Sequence, residues 1–358
     1  MTDVGLLLEQ CLAPVPGGTG RYSRDLAVAL AAHAPAGSSV AGVTAWHREP
    51  LVVPGVPVSR LPLPRRALVA AWERGLPPRV KGDVVHAPTP LHPSQPGLVV
   101  TIHDAVPYTH PEMLTPRGAS WHRAMIERAA RIASLVVCGT QAVADELAGF
   151  VALPEVLVVS PGLTNDLALP VDADERAQRL RLPERYLLTV STLEPRKGLS
   201  ELITALKEVP RIPLLCVGQP GWGGISVEDL ATAAGVEVRV LGRVPDADLA
   251  VVMHRATALV VPSHSEGFGL PLLEAMAAGT PVLTSTAAAL VEVAGGAALS
   301  VPLEDLVDGL RQITSDDVLR ARLAADGPVR AASFTWDGAA TSLWRAYEDL
   351  PGAPARKA

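Results

Sequence analysis

Val260-Val-Pro-Ser-His-Ser-Glu-Gly-Phe-Gly-Leu-Pro-Leu-Leu-Glu-Ala-Met-Ala-Ala-Gly-Thr-Pro-Val282 decides how this chain is read. It opens on a short apolar run that stops at Pro262, the pattern of a buried strand. A glycine-rich loop follows, then a helix with Pro271 in its first turn, closed by Gly279. Open α/β sheets bind ligands at the carboxyl ends of their strands, over helix N-termini. The backbone amides of Phe268, Gly269 and Leu270 are therefore expected to face a ligand and to donate to phosphate or sugar oxygens. Glu266 and Glu274 bracket the loop with seven residues between them. A carboxylate that accepts two hydrogen bonds grips a vicinal diol, so one acid can hold a sugar and the other a ribose. A lone Glu274 could equally sit there because a helix N-terminus favours negative charge.

The rest of the chain repeats this strand–loop–helix unit. Apolar runs fit strands at Val4–Leu8, Val40–Ala45, Val84–Ala87, Leu98–Ile102, Leu135–Cys138 and Val156–Val159. A second series runs through Tyr186–Val190, Leu214–Val217, Val238–Leu241, Ala258–Val261 and Val282–Thr284. Runs that are apolar on both faces suit parallel strands covered by helices. Helix starts are marked by Thr115-Pro116, by Thr140 before Gln141–Gly149, and by Ser226 with Asp229 three residues on. Between the two series lies a break at Gly162–Pro183, rich in turn formers and then in charge. It divides the chain into domains 1–165 and 166–334. An amphipathic helix at 335–350, with Trp336, Leu343, Trp344 and Tyr347 on its apolar side, is expected to pack back on the first domain. A length of 358 residues suits two such domains.

Composition narrows the function. Hydrophobic residues are 48% but aromatics only 4%, so Ala, Val and Leu fill the core, as under a parallel sheet. A net charge of −6 argues against a polyanion binder and makes nucleic acid an unexpected partner. Cys11, Cys138 and Cys216 form no CxxC pair and read as small buried hydrophobes in a reducing compartment. Glu9 interrupts the first apolar run, which reads as a first strand and not a leader. No run of about 18 apolar residues occurs, so no membrane span is expected.

Glu266-Gly-Phe-Gly-Leu-Pro-Leu-Leu-Glu274 resembles the signature of family 4 retaining glycosyltransferases. The resemblance extends over nearly the whole chain through Pro16-Gly-Gly-Thr-Gly-Arg-Tyr22, Thr101-Ile-His-Asp104, Leu193-Glu-Pro-Arg-Lys-Gly198 and Gly242-Arg-Val-Pro-Asp246, in the family's order. It implies an α/β GT-B fold: two doubly wound Rossmann-like domains facing a deep cleft, acceptor in the first and nucleotide-sugar in the second. It also implies transfer of a sugar from a nucleotide-diphosphate donor, with retention and without an essential metal or other cofactor. Likeness to bacterial mannosyltransferases implies GDP-mannose as the donor and a glycan or lipid-linked acceptor. The expected location is cytoplasmic, with peripheral contact to the inner face of the membrane.

The resemblance assigns roles by position. His103, Glu266 and Lys197 are the expected catalytic residues. Gly18, Arg196, Lys197, Arg243, Glu266, Gly267, Phe268, Gly269, Leu270 and Glu274 are the expected donor-binding residues, and His264 is a further sugar contact. The residues support several of these directly. Lys197 and Arg196 stand where a helix opens, a place unfavourable to cations unless an anion joins them. Many members carry an arginine five residues before the lysine; Thr192 stands there in this chain, leaving Arg196 as the substitute. Gly17 and Gly18 can bring amides close to a phosphate, or simply make a turn. Between Arg60 and Lys81 lie Arg60, Arg65, Arg66, Arg74, Arg79 and Lys81 against only Glu73. That stretch is either a membrane-docking element or an ordinary helix with Trp72 inward and a solvated basic face. Two rival functions stay open. A sugar-nucleotide 2-epimerase shares the architecture but lacks the Glu-Gly-Phe-Gly-Leu-Pro arrangement. A non-catalytic glycosyltransferase-like subunit would not be expected to keep Glu266, His103 and Lys197.

Overall fold

The computed structural model describes residues 1–163, 168–221, 223–224 and 226–350. Their contacts divide into two compact units. One comprises the described part of 1–164 together with that of 335–358; the other is the described part of 165–334. The boundary expected between 165 and 166 lies outside the described residues, as does the tail from Pro351.

The first unit holds a seven-stranded parallel sheet. Its strands in chain order are β1 (Asp3–Leu7), β2 (Ser39–Trp46), β3 (Val58–Pro64), β4 (Val84–Ala87), β5 (Leu98–Ile102), β6 (Leu135–Cys138) and β7 (Val156–Val158). Their spatial order is β3-β2-β1-β4-β5-β6-β7. The second unit holds six parallel strands: β8 (Leu187–Val190), β9 (Leu214–Val217), β10 (Val238–Gly242), β11 (Ala258–Val261), β12 (Val282–Ser285) and β13 (Leu299–Val301). They are ordered β10-β9-β8-β11-β12-β13. In each sheet the chain winds outward in one direction, returns to the middle, and winds out the other way. The strand order therefore reverses between β1 and β4 in one sheet and between β8 and β11 in the other. Loops leaving the two central strands diverge there and open a crevice at the strands' carboxyl ends.

The sequence does not reveal β3 and β13, and both are edge strands. β3 carries Pro62 and Pro64 and is half exposed; proline cannot donate to a ladder and is tolerated at an edge. β13 is three residues long, with Ser300 at its centre. The central strands β4, β5, β6, β9 and β11 are buried throughout, as their unbroken apolar runs require.

The expected caps form. Thr115, Thr140 and Ser226 accept from the amides of Gly118, Val143 and Asp229. The last described helix, Trp336–Asp349, is capped by Thr335 and packs on the first sheet's helix Gly17–Ala32. Leu343, Trp344 and Tyr347 are buried in that core, and the Trp344 indole donates to the Leu30 carbonyl at 2.9 Å. Cys138 and Cys216 are buried free thiols and Cys11 is partly buried.

Candidate functional site

The strand-order reversal of the second sheet carries an ionic cluster. After β8 the chain passes through a short turn of 3-10 helix, Pro195–Lys197, and reverses at Gly198 with φ +65°. A Cβ there would collide with the Pro262 carbonyl, so only glycine lets the β8 loop lie against the end of β11. The His264 amide then donates to the Arg196 carbonyl at 2.9 Å, locking the two loops together.

That contact delivers Glu266 to two cations. Its Oε1 accepts from Lys197 Nζ at 2.6 Å and from Ser263 Oγ at 2.8 Å, and its Oε2 from Arg196 Nη1 at 3.3 Å. Arg196 also donates to the Ser265 carbonyl at 3.0 Å and to Glu194 at 2.9 Å. The side chains of Lys197, Arg196 and Glu266 are only 15%, 16% and 11% exposed, so their charges interact under weak solvent screening. Burial works to raise the Glu266 carboxyl, but Lys197, then Arg196, and the hydrogen bonds from Lys197 and Ser263 outweigh it and hold it down at about 2. Burial lowers the Lys197 ammonium; Glu266 opposes that shift and Arg196 adds to it. Glu266 is therefore an anion at neutral pH, and it keeps a desolvated cation in place.

The rest of the motif follows in the chain. Phe268 is buried edge-on against Phe334, with ring centroids 5.6 Å apart. Gly269 caps the helix Leu270–Ala277 at φ +91°, where a Cβ would strike Leu290. The amides of Phe268, Gly269 and Leu270 make no hydrogen bond among the described residues. They are the donors that a helix start leaves over. Gly267 precedes them in the same loop. Glu274 is 3% exposed and lies in the second turn of the helix, not the first. The helix macrodipole fades beyond the first turn, so it does not account for a buried acid there.

The other expected donor residue of this unit stands apart. Arg243 is exposed just past Gly242, where β10 ends, and makes no hydrogen bond to the cluster. His264 turns to Glu201, with Nε2 to Oε1 at 2.8 Å. Ser263, Glu194 and Glu201 were not foreseen. Ser263 follows an apolar strand and Glu194 lies inside the Leu193–Gly198 motif, whereas Glu201, on the helix Leu199–Ala205, carries no such signal.

In the first unit's reversal the histidines meet neutral partners, while Glu9, buried past β1, accepts from the Ala45 amide at 2.8 Å and pairs with His47. His103 follows β5, and its Nε2 lies 2.7 Å from the Pro88 carbonyl, just past β4. A carbonyl can only accept, so Nε2 carries the proton and Nδ1 keeps a lone pair. Burial lowers the His103 pKa, against the Pro88 hydrogen bond and the charge of Asp104. Tyr22 stands edge-on to the ring at 4.9 Å. Behind it, His86 bridges Tyr347 Oη at 2.6 Å and Thr101 Oγ1 at 2.7 Å. Gly18 is exposed in the first turn of Gly17–Ala32, so the helix begins at the glycine pair itself; Gly17 has φ +59°. In the basic stretch, Leu68 and Trp72 are buried while Arg60, Arg66, Arg74, Arg79 and Lys81 are exposed. No described helix is long and apolar enough to cross a membrane. Among the described residues, no three His, Cys, Asp or Glu side chains are grouped to hold a metal ion.

Two family models match the chain. Residues 16–166 match "Glycosyltransferase Family 4" and residues 171–330 match "Glycosyl transferases group 1". O-antigen chain mannosyltransferase B of Escherichia coli is 31% identical over 272 residues, 70% of each chain. D-inositol 3-phosphate glycosyltransferase of Corynebacterium jeikeium is 34% identical over 242 residues, which is 61% of this chain and 58% of that one. Among solved structures, HepE of Anabaena in complex with UDP and glucose superposes with a TM-score of 0.75 at 20% identity, covering 98% of this chain and all of that one.

Proposed function

The chain belongs to glycosyltransferase family 4, carries the GT-B fold and is an enzyme acting on nucleotide sugars; from that premise we propose that it moves mannose from a guanosine-diphosphate donor to a hydroxyl acceptor, with retention at the anomeric carbon, in glycan or glycolipid assembly. The sugar is suggested by the name of the E. coli relative. The observation that carries the donor site is the buried Lys197–Glu266–Arg196 network at the reversal of the second sheet.

The chemistry follows from that network. A diphosphate arriving there meets Lys197, Arg196 and the amides of Phe268, Gly269 and Leu270, donors already fixed before it binds. As the bond from C1 to the leaving phosphate oxygen breaks, a bond from the acceptor oxygen to C1 forms on the same face. The leaving phosphate takes the acceptor's proton, and Lys197 and Arg196 stabilise the charge left on it. His103 offers Nδ1 as an acceptor to a sugar hydroxyl. Glu274 grips the ribose and Glu266 the sugar. Because Glu266 also holds both cations, its loss disturbs the diphosphate site as well. Lys197, Arg196 and the loop amides are the groups offered to the diphosphate, and we propose that with them no divalent metal is needed.

Membrane contact belongs to the same reading. Leu68 and Trp72 are buried in their own unit, so the contact we propose is electrostatic, through exposed arginines such as Arg66 and Arg74. The deciding experiment is a thermal-shift panel of GDP-mannose, UDP-glucose and their free nucleotides, read beside turnover. A donor at a hundred times its dissociation constant adds about 2.7 kcal/mol. A shift with UDP-glucose and none with GDP-mannose overturns the donor assignment; a shift with neither overturns the site.

A further inference from the structure

We infer that Tyr22 is a positioning residue for His103, braced from behind by a buried chain of Tyr347, His86 and Thr101. The chain starts from two polar residues set in apolar strands. His86 in β4 and Thr101 in β5 are almost wholly buried, so their polar atoms must find partners inside the fold. His86 Nε2 lies 2.7 Å from Thr101 Oγ1, and His86 Nδ1 lies 2.6 Å from Tyr347 Oη. Burial pushes His86 down to about 3 and the Tyr347 phenol well above its usual range, so at neutral pH both rings are uncharged. One nitrogen of a neutral imidazole donates and the other accepts. Tyr347 Oη makes no hydrogen bond besides this one among the described residues. Its proton therefore goes to Nδ1, the proton on Nε2 goes to Thr101, and the Thr101 hydroxyl is left to turn toward Tyr22. Burial pushes the Tyr22 phenol up to about 12, and a hydrogen bond with Thr101 opposes that shift.

Tyr22 is the front end of this chain. His103 is tied at one nitrogen, Nε2, to the Pro88 carbonyl at 2.7 Å. A single hydrogen bond leaves a ring free to pivot about it. Tyr22 stands edge-on across the ring, with centroids 4.9 Å apart, and removes that freedom. Tyr22 has little room to yield. It is buried, and Trp336 packs on it with centroids 5.6 Å apart. Trp336 and Tyr347 lie near opposite ends of the helix Trp336–Asp349. That helix therefore braces Tyr22 twice, by direct contact and through His86. A fully satisfied buried network rigidifies what it touches, and an acceptor fixed before reaction needs no ordering during it. The inference rests on His103 as a contact to a sugar hydroxyl and goes beyond it by naming what aims the ring.

The test is a double-mutant cycle on turnover, with the donor that shifts the melting temperature. Tyr22→Leu removes the ring edge and is expected to lower kcat about fivefold; Tyr347→Phe, which removes one hydroxyl, about threefold. The free nucleotide of that donor should bind both variants as it binds wild type. In a His103→Ala background neither substitution should lower the rate further, because both act through that ring. Tyr22→Phe keeps the edge and is expected to restore most of the rate. If the losses persist in His103→Ala, or if Tyr347→Phe turns over as wild type, the chain supports the fold alone and the inference falls. If His103→Ala itself turns over as wild type, the sugar contact falls and the inference with it. Histidine labelled with 15N gives a readout without turnover. His103 is expected as the Nε2–H tautomer in wild type and as an average of both tautomers in Tyr22→Leu. An unchanged Nε2–H form in Tyr22→Leu overturns the inference even where His103 keeps its role in transfer.

Discussion

At the reversal of the first sheet the two histidines meet neutral groups, His86 between a tyrosine and a threonine hydroxyl and His103 on a carbonyl with a tyrosine edge beside it, and the acids Glu9 and Asp104 lie in the loops after β1 and β5. At the reversal of the second sheet two cations, Lys197 and Arg196, meet two carboxylates, Glu266 and Glu194, each only slightly exposed. The two sheets share one winding scheme, so the backbone does not set this difference; the residues at the strand ends do. Neutral donors and acceptors in a dry setting discriminate hydroxyls by geometry. Fixed cations stabilise a charge that grows during reaction, without reorganising at that moment.

The contrast can be broken most directly at Lys197. Lys197→Ala is expected to lower kcat/KM by about a hundredfold or more, the scale of losing a donor to a developing oxyanion. His103→Ala is expected to lose less, because it removes one neutral hydrogen bond, worth about 0.5–1.5 kcal/mol. Equal losses in steady-state rates for the two variants would erase the distinction.

The two acids sharpen it next. Glu274→Ala is expected to weaken a free nucleoside diphosphate by about 1.5–3 kcal/mol in calorimetry, with donor affinity falling in parallel. Glu266→Ala is expected to cut turnover more than it changes nucleotide affinity. It should also weaken the nucleotide somewhat, because it releases Lys197 and Arg196. A Glu266→Ala variant that turns over normally would detach the network from catalysis.

Acid separates the regions by pH. Burial, with the charge of His103 adding, pushes His86 down to about 3. The unfolded chain takes up that proton near pH 6.5, so the stability due to neutral His86 is present above about 6.5 and is lost as pH falls toward 3. Glu266 has a folded pKa of about 2 against about 4.3 unfolded, so its contribution is present above about 4.3 and is lost as pH falls toward 2. Melting temperatures of His86→Gln should lose the upper part of the acid dependence and those of Glu266→Gln the lower part. Superimposable pH profiles for the two variants would contradict this ordering. The smallest effect expected is none: turnover in EDTA should equal turnover with magnesium or manganese, and activity that vanishes and returns would overturn the metal-free proposal.

The buried strands were legible because residues apolar on both faces leave few alternatives. β3 and β13 were not, since edge strands tolerate Pro62, Pro64 and Ser300, the very residues that argue against a strand. The motif from Glu266 to Glu274 marked where chemistry gathers. The partner of Glu266 was not legible, because the contact depends on Gly198 letting one loop lie on another, 69 residues apart in the chain. Arg243 is tied to the cluster by its motif alone: it follows the edge strand β10, and none of its hydrogen bonds among the described residues reaches Glu266.

The helix Trp336–Asp349 gives the chain an unusual order of assembly. During synthesis, residues 165–334 are complete before the first unit is, although that unit was begun earlier. Until Leu343, Trp344 and Tyr347 are made, its core lacks part of its filling and His86 lacks the Tyr347 hydroxyl. The nascent first sheet must wait, partly open, while the second closes. A chain stopped after Phe334 should therefore bind a hydrophobic dye and lose one cooperative melting step while keeping the other. Two intact steps would show that the first unit does not need its late helix.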